Sequence, residues 1–382
     1  MNNQSPTFIQ SRVARPGSIQ NWTLDVERQL PANTVVSLAY VGDIGTHLQA
    51  LMHDPNQGYP ADQVRGACLD VNIAQQAGNP ACAGQIPVGS PYAGFNGSVA
   101  QALRPFPQYQ NAQFANSLDA NPYGTYTYES LQLQVQKRYS SGLTVLGNYT
   151  WSKNITNADA TFPLQAAWVG DGTSGALNTY NLKVEKALSE FDVPQSVVMS
   201  YIYELPFGKN KPFLSSGHVT NALAGGWQVA GINTYQSGYP LATNSPNWDS
   251  GIFAGNLCGG CSRPNVVPGE PFEGDGKGNA GFIFNKSRRL NPAAFTPAPN
   301  FTFGDAPRAL NVRQFATLDE DFSIAKMMSL SKVTTMFQLE FFDVANRHSF
   351  TGFNTSAGTP GFGQATTTAN YRTVQAELKF MY

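Results

Sequence analysis

The chain has 382 residues, enough for one large domain or two smaller ones, and its net charge of −1 argues against a nucleic-acid-binding surface. Only 13% of residues are charged, 12% are aromatic, and 36 glycines and 25 prolines recur throughout. That balance excludes a protein built of long helices and suits an all-β chain whose polar faces are neutral rather than ionic.

No run of about 18 apolar residues exists, so no transmembrane helix is predicted. This leaves a membrane β-barrel open, because its strands are short and alternate. The first residues, MNNQSPTFIQSRVARPGS, contain no apolar stretch of the kind a signal peptide needs. The sequence therefore predicts either a cytosolic chain or the downstream part of a longer exported one.

Alternation of apolar and polar residues marks the strands. The first runs over 20–30, with Trp22, Leu24, Val26 and Leu30 on one face. A short turn at Pro31-Ala32-Asn33 leads to a second strand over 34–43, carrying Val36, Leu38 and Tyr40. A long aperiodic segment follows, over 44–124. The third strand, 125–139, alternates Leu131, Leu133, Val135 and Tyr139 with Gln132, Gln134, Gln136 and Arg138. Ser140-Ser141-Gly142 predicts a tight turn. The fourth strand, 143–152, has Leu143, Val145, Tyr149 and Trp151 on one side. After another long segment the fifth, 195–205, carries Val197, Met199, Tyr201, Tyr203 and Leu205. A medium connection leads to the sixth, 226–236, with Trp227, Val229 and Tyr235.

The longest loop covers 237–309. The seventh strand spans 315–327, with a turn at Ser329-Leu330-Ser331, and the eighth, 332–345, alternates Val333, Thr335, Phe337, Leu339 and Phe341 with polar residues. The last, Tyr371 to Tyr382, alternates Val374, Ala376, Leu378, Phe380 and Tyr382 with Thr373, Gln375, Glu377 and Lys379. About nine strands result, near the roughly 9–11 residues that a tilted membrane strand requires. Their connections alternate between short and long. In an outer-membrane barrel the periplasmic turns are short and the outer loops long. If the last strand ends in the periplasm, every short turn falls on that side. The fold class predicted is all-β: an antiparallel, up-and-down transmembrane β-barrel segment of about nine strands with long extracellular loops.

Chemistry-bearing motifs are absent: no HExxH, GxSxG, Walker A or helix-opening GxGxxG occurs. No enzyme, cofactor or metal site is expected. His47, His53, His218 and His348 are scattered. Glu129, Asp319, Glu320 and Asp321 could pair as carboxylates but fit lumen faces or strand ends better. Glu320 falls in phase with apolar Leu318 and Phe322, and alternation gives no reason for it. Cys68, Cys82, Cys258 and Cys261 lie in aperiodic segments, as two nearby pairs, and predict local disulfides or inert thiols. The CGGC at 258–261 is alternatively half of a zinc site or a redox motif, and the zinc reading wants a second ligand pair. Trp22, Tyr40, Tyr149, Trp151, Tyr201, Tyr203 and Trp227 could stack sugars, but their shared phase predicts an interfacial girdle. In the long loops, Trp168, Tyr239, Trp248 and Phe253 are candidate ligand contacts, since binding surfaces concentrate on loops held by a rigid scaffold.

Several stretches, taken together and in order, carry a resemblance. They are Asn21-Trp22-Thr23-Leu24, Tyr40-Val41-Gly42, Gly45-Thr46-His47-Leu48 and Tyr149-Thr150-Trp151-Ser152-Lys153. Further on come Glu204-Leu205-Pro206-Phe207-Gly208-Lys209, Gly226-Trp227-Gln228-Val229, Glu340-Phe341-Phe342-Asp343-Val344-Ala345-Asn346-Arg347-His348 and the closing strand. Across 1–382 the chain resembles the C-terminal part of the barrel of TonB-dependent receptors. The branch it is most similar to is the Oar-like one, often fused to a carboxypeptidase-regulatory-like domain and numerous in soil Acidobacteria. The resemblance implies a barrel of roughly 22 strands around a plug, driven by the TonB complex. It also implies outer-membrane lipid as surroundings, and recognition of the strand Tyr371–Tyr382 by the barrel-assembly machinery. This sequence shows no plug, TonB box or signal peptide and fewer than half the strands, so it looks like a fragment, and TonB would act only through the missing N-terminal part. The function implied is uptake of an unidentified ligand across the outer membrane of a Gram-negative bacterium. The alternative is a secreted or surface all-β binding module, adhesin-like and glycan-binding, supported by the Asn-rich loops and loop cysteines.

Overall fold

The computed structural model describes residues 7–8, 15–48, 50, 52, 56–109, 113–114, 122–159, 176–245, 263–276, 283–284, 286–330, 333–369 and 371–381. Nine long strands form one antiparallel sheet in chain order. They are β1 (Ser18–Leu30), β2 (Thr34–Leu48), β3 (Gly124–Ser140), β4 (Leu143–Thr156) and β5 (Gln195–Glu204), followed by β6 (Trp227–Gln236), β7 (Thr317–Leu330), β8 (Val333–Phe342) and β9 (Thr373–Met381). A two-residue strand, Ala187–Leu188, adds to the end of β4. The sheet is open, with β1 and β9 at its edges.

The register decides which residues share a face, because a slip of one residue would turn a whole strand over. Val26 stands opposite Leu38, Leu38 opposite Leu133, Leu133 opposite Tyr149, Tyr149 opposite Val197, Val197 opposite Tyr235, and Tyr235 opposite Leu318. A second row runs Tyr203, Val229, Ile324, Leu339, Ala376. All nine apolar stripes read from the sequence therefore join into one face.

The turns follow local chemistry. Ser141 and Gly142 both take positive φ, 55° and 82°, which is the two-residue turn whose twist suits a hairpin. Asp343 takes φ 52°, so β8 stops at Phe342 and not at 345 as alternation suggested. β7 runs on to Leu330, beyond the predicted end at 327 and into the predicted turn. β2 continues to Leu48, past the predicted end at 43, because Ile44, Gly45 and Thr46 pair with Gln20, Ile19 and Ser18 of β1. Gly42 is required there: a Cβ on it would lie 2.2 Å from Cε2 of Trp22, whose indole crosses that point.

Among the described residues, the buried hydrophobic clusters lie outside the sheet. Leu241, Leu290, Ala294, Phe295, Ala306, Leu310, Val312, Ala357 and Phe362 form one cluster, drawn from the β6–β7 and β8–β9 connections. Cys68, Leu69, Cys82, Val99 and Ala100 form another in the β2–β3 connection, with Phe301 and Phe303 packed on it. Segments that read as aperiodic from sequence are thus packed globules.

Candidate membrane-spanning wall and loop head

The apolar face of the sheet is open at both edges and partly exposed between them: Leu24 is 68% and Phe380 56% exposed, Leu133 36% and Phe337 37%. A soluble sheet with one apolar face buries it against a second layer. Here the connections that pack tightly do so with one another, and this face keeps its Leu, Val and Phe side chains outward. Trp22, Tyr40, Tyr149, Trp151, Tyr201, Tyr203 and Trp227 all belong to that face by register. Trp22, Tyr40 and Trp151 lie toward the long connections and Tyr203 and Trp227 toward the short ones, and the rows between them mix Leu133 and Val197 with Tyr149, Tyr201 and Tyr235. An apolar band flanked by aromatics at both ends is the arrangement of a lipid-facing wall.

Glu320, out of place by alternation, has partners. Arg347 donates from Nη2 to Oε1 at 2.9 Å and from Nε to Oε2 at 3.2 Å, and the Tyr235 hydroxyl donates to Oε1 at 3.0 Å. The carboxylate sits three residues inside the β7 start, where an arginine from beyond β8 can reach it. Asp319 and Asp321 point to the opposite face, facing Thr234 and Ile232 across the ladder. Glu129, exposed, faces Lys153. Glu129 and Glu320 thus stand apart from Asp319 and Asp321, which share the opposite face.

The opposite face is mostly polar, with Ser37 donating to Asp25 at 2.7 Å and Gln134 to Asn148 at 2.9 Å. It also carries an apolar island that alternation did not predict. Leu146, Ile202, Ala230, Ile232 and Phe342 line a hollow of about 370 Å³ there. They sit in the polar phase of four strands, so no single strand's pattern reveals them.

Arginines lock the β4–β5 and β6–β7 connections into one head. Arg308 pairs with Asp159 and donates to the carbonyls of Glu185 and Thr156, both at 3.0 Å. Arg263 pairs with Glu185, and Arg313 with Asp192. Burial pulls the Arg263 guanidinium below its usual range, against the raising effect of Glu185. Arg289 pairs with Glu273 and lies 5.4 Å from the Phe315 ring centre. The first long connection joins through Gln57, which donates to the Leu177 carbonyl at 3.1 Å and accepts from the Thr179 N–H at 2.7 Å.

Of the loop residues proposed to meet ligand, Trp168, Trp248 and Phe253 lie outside the described residues, as do Cys258 and Cys261. Tyr239 is 42% exposed beside the start of the β6–β7 connection. Cys68 and Cys82 are joined by a disulfide inside the second core cluster. Sequence reasoning missed Tyr59 and Tyr180, whose rings stack at 5.1 Å and are half exposed. They come from different connections, and no spacing signal links them. A cavity of about 320 Å³ under the head is lined by Ile19, Leu48, Tyr126, Asp159 and Phe191, among others.

The chain matches the family described as "Outer membrane beta barrel domain" over residues 1–375. No curated protein matches it. Among solved structures it is similar to the FpvAI–pyocin S2 complex, at 9% identity and TM-score 0.38, covering 95% of this chain and 26% of that one. It is similar also to P. aeruginosa FpvA bound to heterologous pyoverdines, at 10% identity and TM-score 0.40, covering 98% and 29%. A third is the outer membrane transporter YddB from Escherichia coli, at 10% identity and TM-score 0.42, covering 99% and 34%. The chain spans about a third or less of the length of these structures. The family match, with nine strands presenting one exposed apolar face, makes this chain a member of the outer membrane β-barrel domain family and a protein of the outer membrane.

Proposed function

We propose that the chain is the wall and outer head of a TonB-dependent receptor of the Oar-like branch, taking part in uptake of a ligand. The observation that carries this reading is the continuous exposed apolar face across nine strands, with the packed head on the side of the long connections. The short-turn side is periplasmic and the head extracellular in this reading. The motifs from Asn21-Trp22-Thr23-Leu24 to the closing strand support the TonB-dependent assignment. The head captures ligand, and the polar face of the sheet forms one side of the conduit. Gating and energy come from parts that these strands do not contain. The chain has no catalytic role and needs no cofactor.

The test is membrane fractionation followed by surface proteolysis. The expected result is a chain that resists alkaline carbonate extraction, with cleavage from outside confined to the long connections. Release by carbonate as a folded, detergent-free β protein would overturn the reading in favour of a surface binding module.

A further inference from the structure

The connection between β5 and β6 differs from the other short turns. It spans 205–226 and folds, with a helix α1 (His218–Ala224) at its end. Val219 and Leu223, one turn apart, are 73% and 71% exposed. Asn221, on the other side of the helix, accepts the Lys209 N–H at 2.6 Å and so faces the body of the connection. Phe213 and Leu214, 60% and 53% exposed, lie in the same connection. A folded turn that turns its apolar side chains outward needs something apolar to cover them.

The position of the helix says what covers it. Trp227 and Lys326 face each other on the lipid-facing side, at the short-turn end. The Trp227 indole N–H donates to the Leu223 carbonyl at 2.9 Å. Lys326 Nζ donates to the carbonyls of Leu223 and Gly225, at 2.9 and 3.0 Å, and lies 4.8 Å from the Trp227 ring centre. The last turn of the helix is thus pinned to the rim of the lipid-facing wall, with Val219 and Leu223 left exposed. A cationic side chain capping a helix C-terminus beside an indole suits the headgroup zone, where rings and long amines bridge apolar and wet surroundings.

We propose that the 205–226 connection is an interfacial anchor, with α1 lying in the phospholipid surface on the short-turn side of the membrane. The proposal rests on the membrane-wall reading above. The experiment places the photo-crosslinker p-benzoylphenylalanine singly at Val219, Leu133 or Ile86 of the chain in cellular outer membranes, irradiates, and identifies adducts by mass spectrometry. Leu133 reports the wall, and Ile86, 82% exposed on the head, reports water. The expected result is phospholipid adducts at Val219 and Leu133 and their loss at Ile86. Adducts at Leu133 with none at Val219, or a protein adduct at Val219 in place of lipid, overturn the anchor alone. Absence of lipid adducts at Leu133 overturns the wall reading, and the anchor with it.

Discussion

Arg308 and Asp159 pair inside the head with their side chains only 4% and 3% exposed, although 149 residues separate them in sequence. The pair fastens the β6–β7 connection to the β4–β5 connection, and Arg308 satisfies two carbonyls besides. Removing one member leaves a buried charge without its partner, which costs about 3–5 kcal/mol. Arg308→Met is expected to open the head to limited proteolysis while the sheet's circular dichroism persists. The double variant Arg308→Met/Asp159→Leu is expected to lose less than the single one, because no charge is stranded.

The two faces of β3 make a matched pair of tests. Leu133→Arg puts a charge on the lipid-facing side and is expected to cost about 2–4 kcal/mol near mid-membrane. Gln134→Arg, one residue on, faces the polar side and is expected to cost far less. Urea titration of the folded fraction, read by heat-modifiable electrophoretic mobility in vesicles, compares them.

Gly42 and Trp22 share one space. A Cβ at 42 would lie 2.4 Å from the indole nitrogen. Gly42→Val is expected to displace the ring and cost about 1–3 kcal/mol, as overpacking does. The difference in tryptophan emission between Gly42→Val and Gly42→Val/Trp22→Phe, set against the same difference in the parent, checks this.

The Cys68–Cys82 disulfide closes a loop with a sequence separation of 14. On loop-closure grounds its removal costs the first connection about 3 kcal/mol. Cys68→Ala/Cys82→Ala is expected to speed proteolysis within 56–109 and leave the hairpins of β3–β6 unaffected.

Lys211, outside the membrane-spanning strands, gives a pH signature. Its hydrogen bond to Glu204, at 2.8 Å, raises its pKa above the ordinary lysine value. A raised pKa in the folded state means the contribution is present below the unfolded pKa and is lost as pH rises through the folded one. The 205–226 connection is therefore expected to loosen only in strongly alkaline solution, and Lys211→Met to remove that step. Amide exchange of residues 205–226 across the alkaline range reads it.

The strands were legible because lipid imposes a strict period of two: Leu131, Leu133 and Val135 announce their face without any knowledge of the neighbours. Ser141-Gly142 was legible because only a narrow set of residues takes positive φ twice in succession. The head was not. Leu290 and Leu310 are fully buried, yet they lie in Gly/Pro-rich chain with no period, and their burial depends on Leu241 and Phe362 far away. The same holds for Glu320, whose place on an apolar face makes sense only once Arg347 is seen beside it. The island of Ile202 and Ile232 escaped notice because adjacent strands, not one strand, assemble it.

The sheet holds nine long strands, and nine is odd. Antiparallel neighbours reverse direction at each step, so β1 and β9, eight steps apart, point the same way. Brought edge to edge they would pair parallel, and a second copy inserted in the same orientation would meet either edge with the same mismatch. An antiparallel seam on both edges takes a complement that begins and ends with strands of the reverse direction, which fixes its count as odd and the count of the whole ring as even.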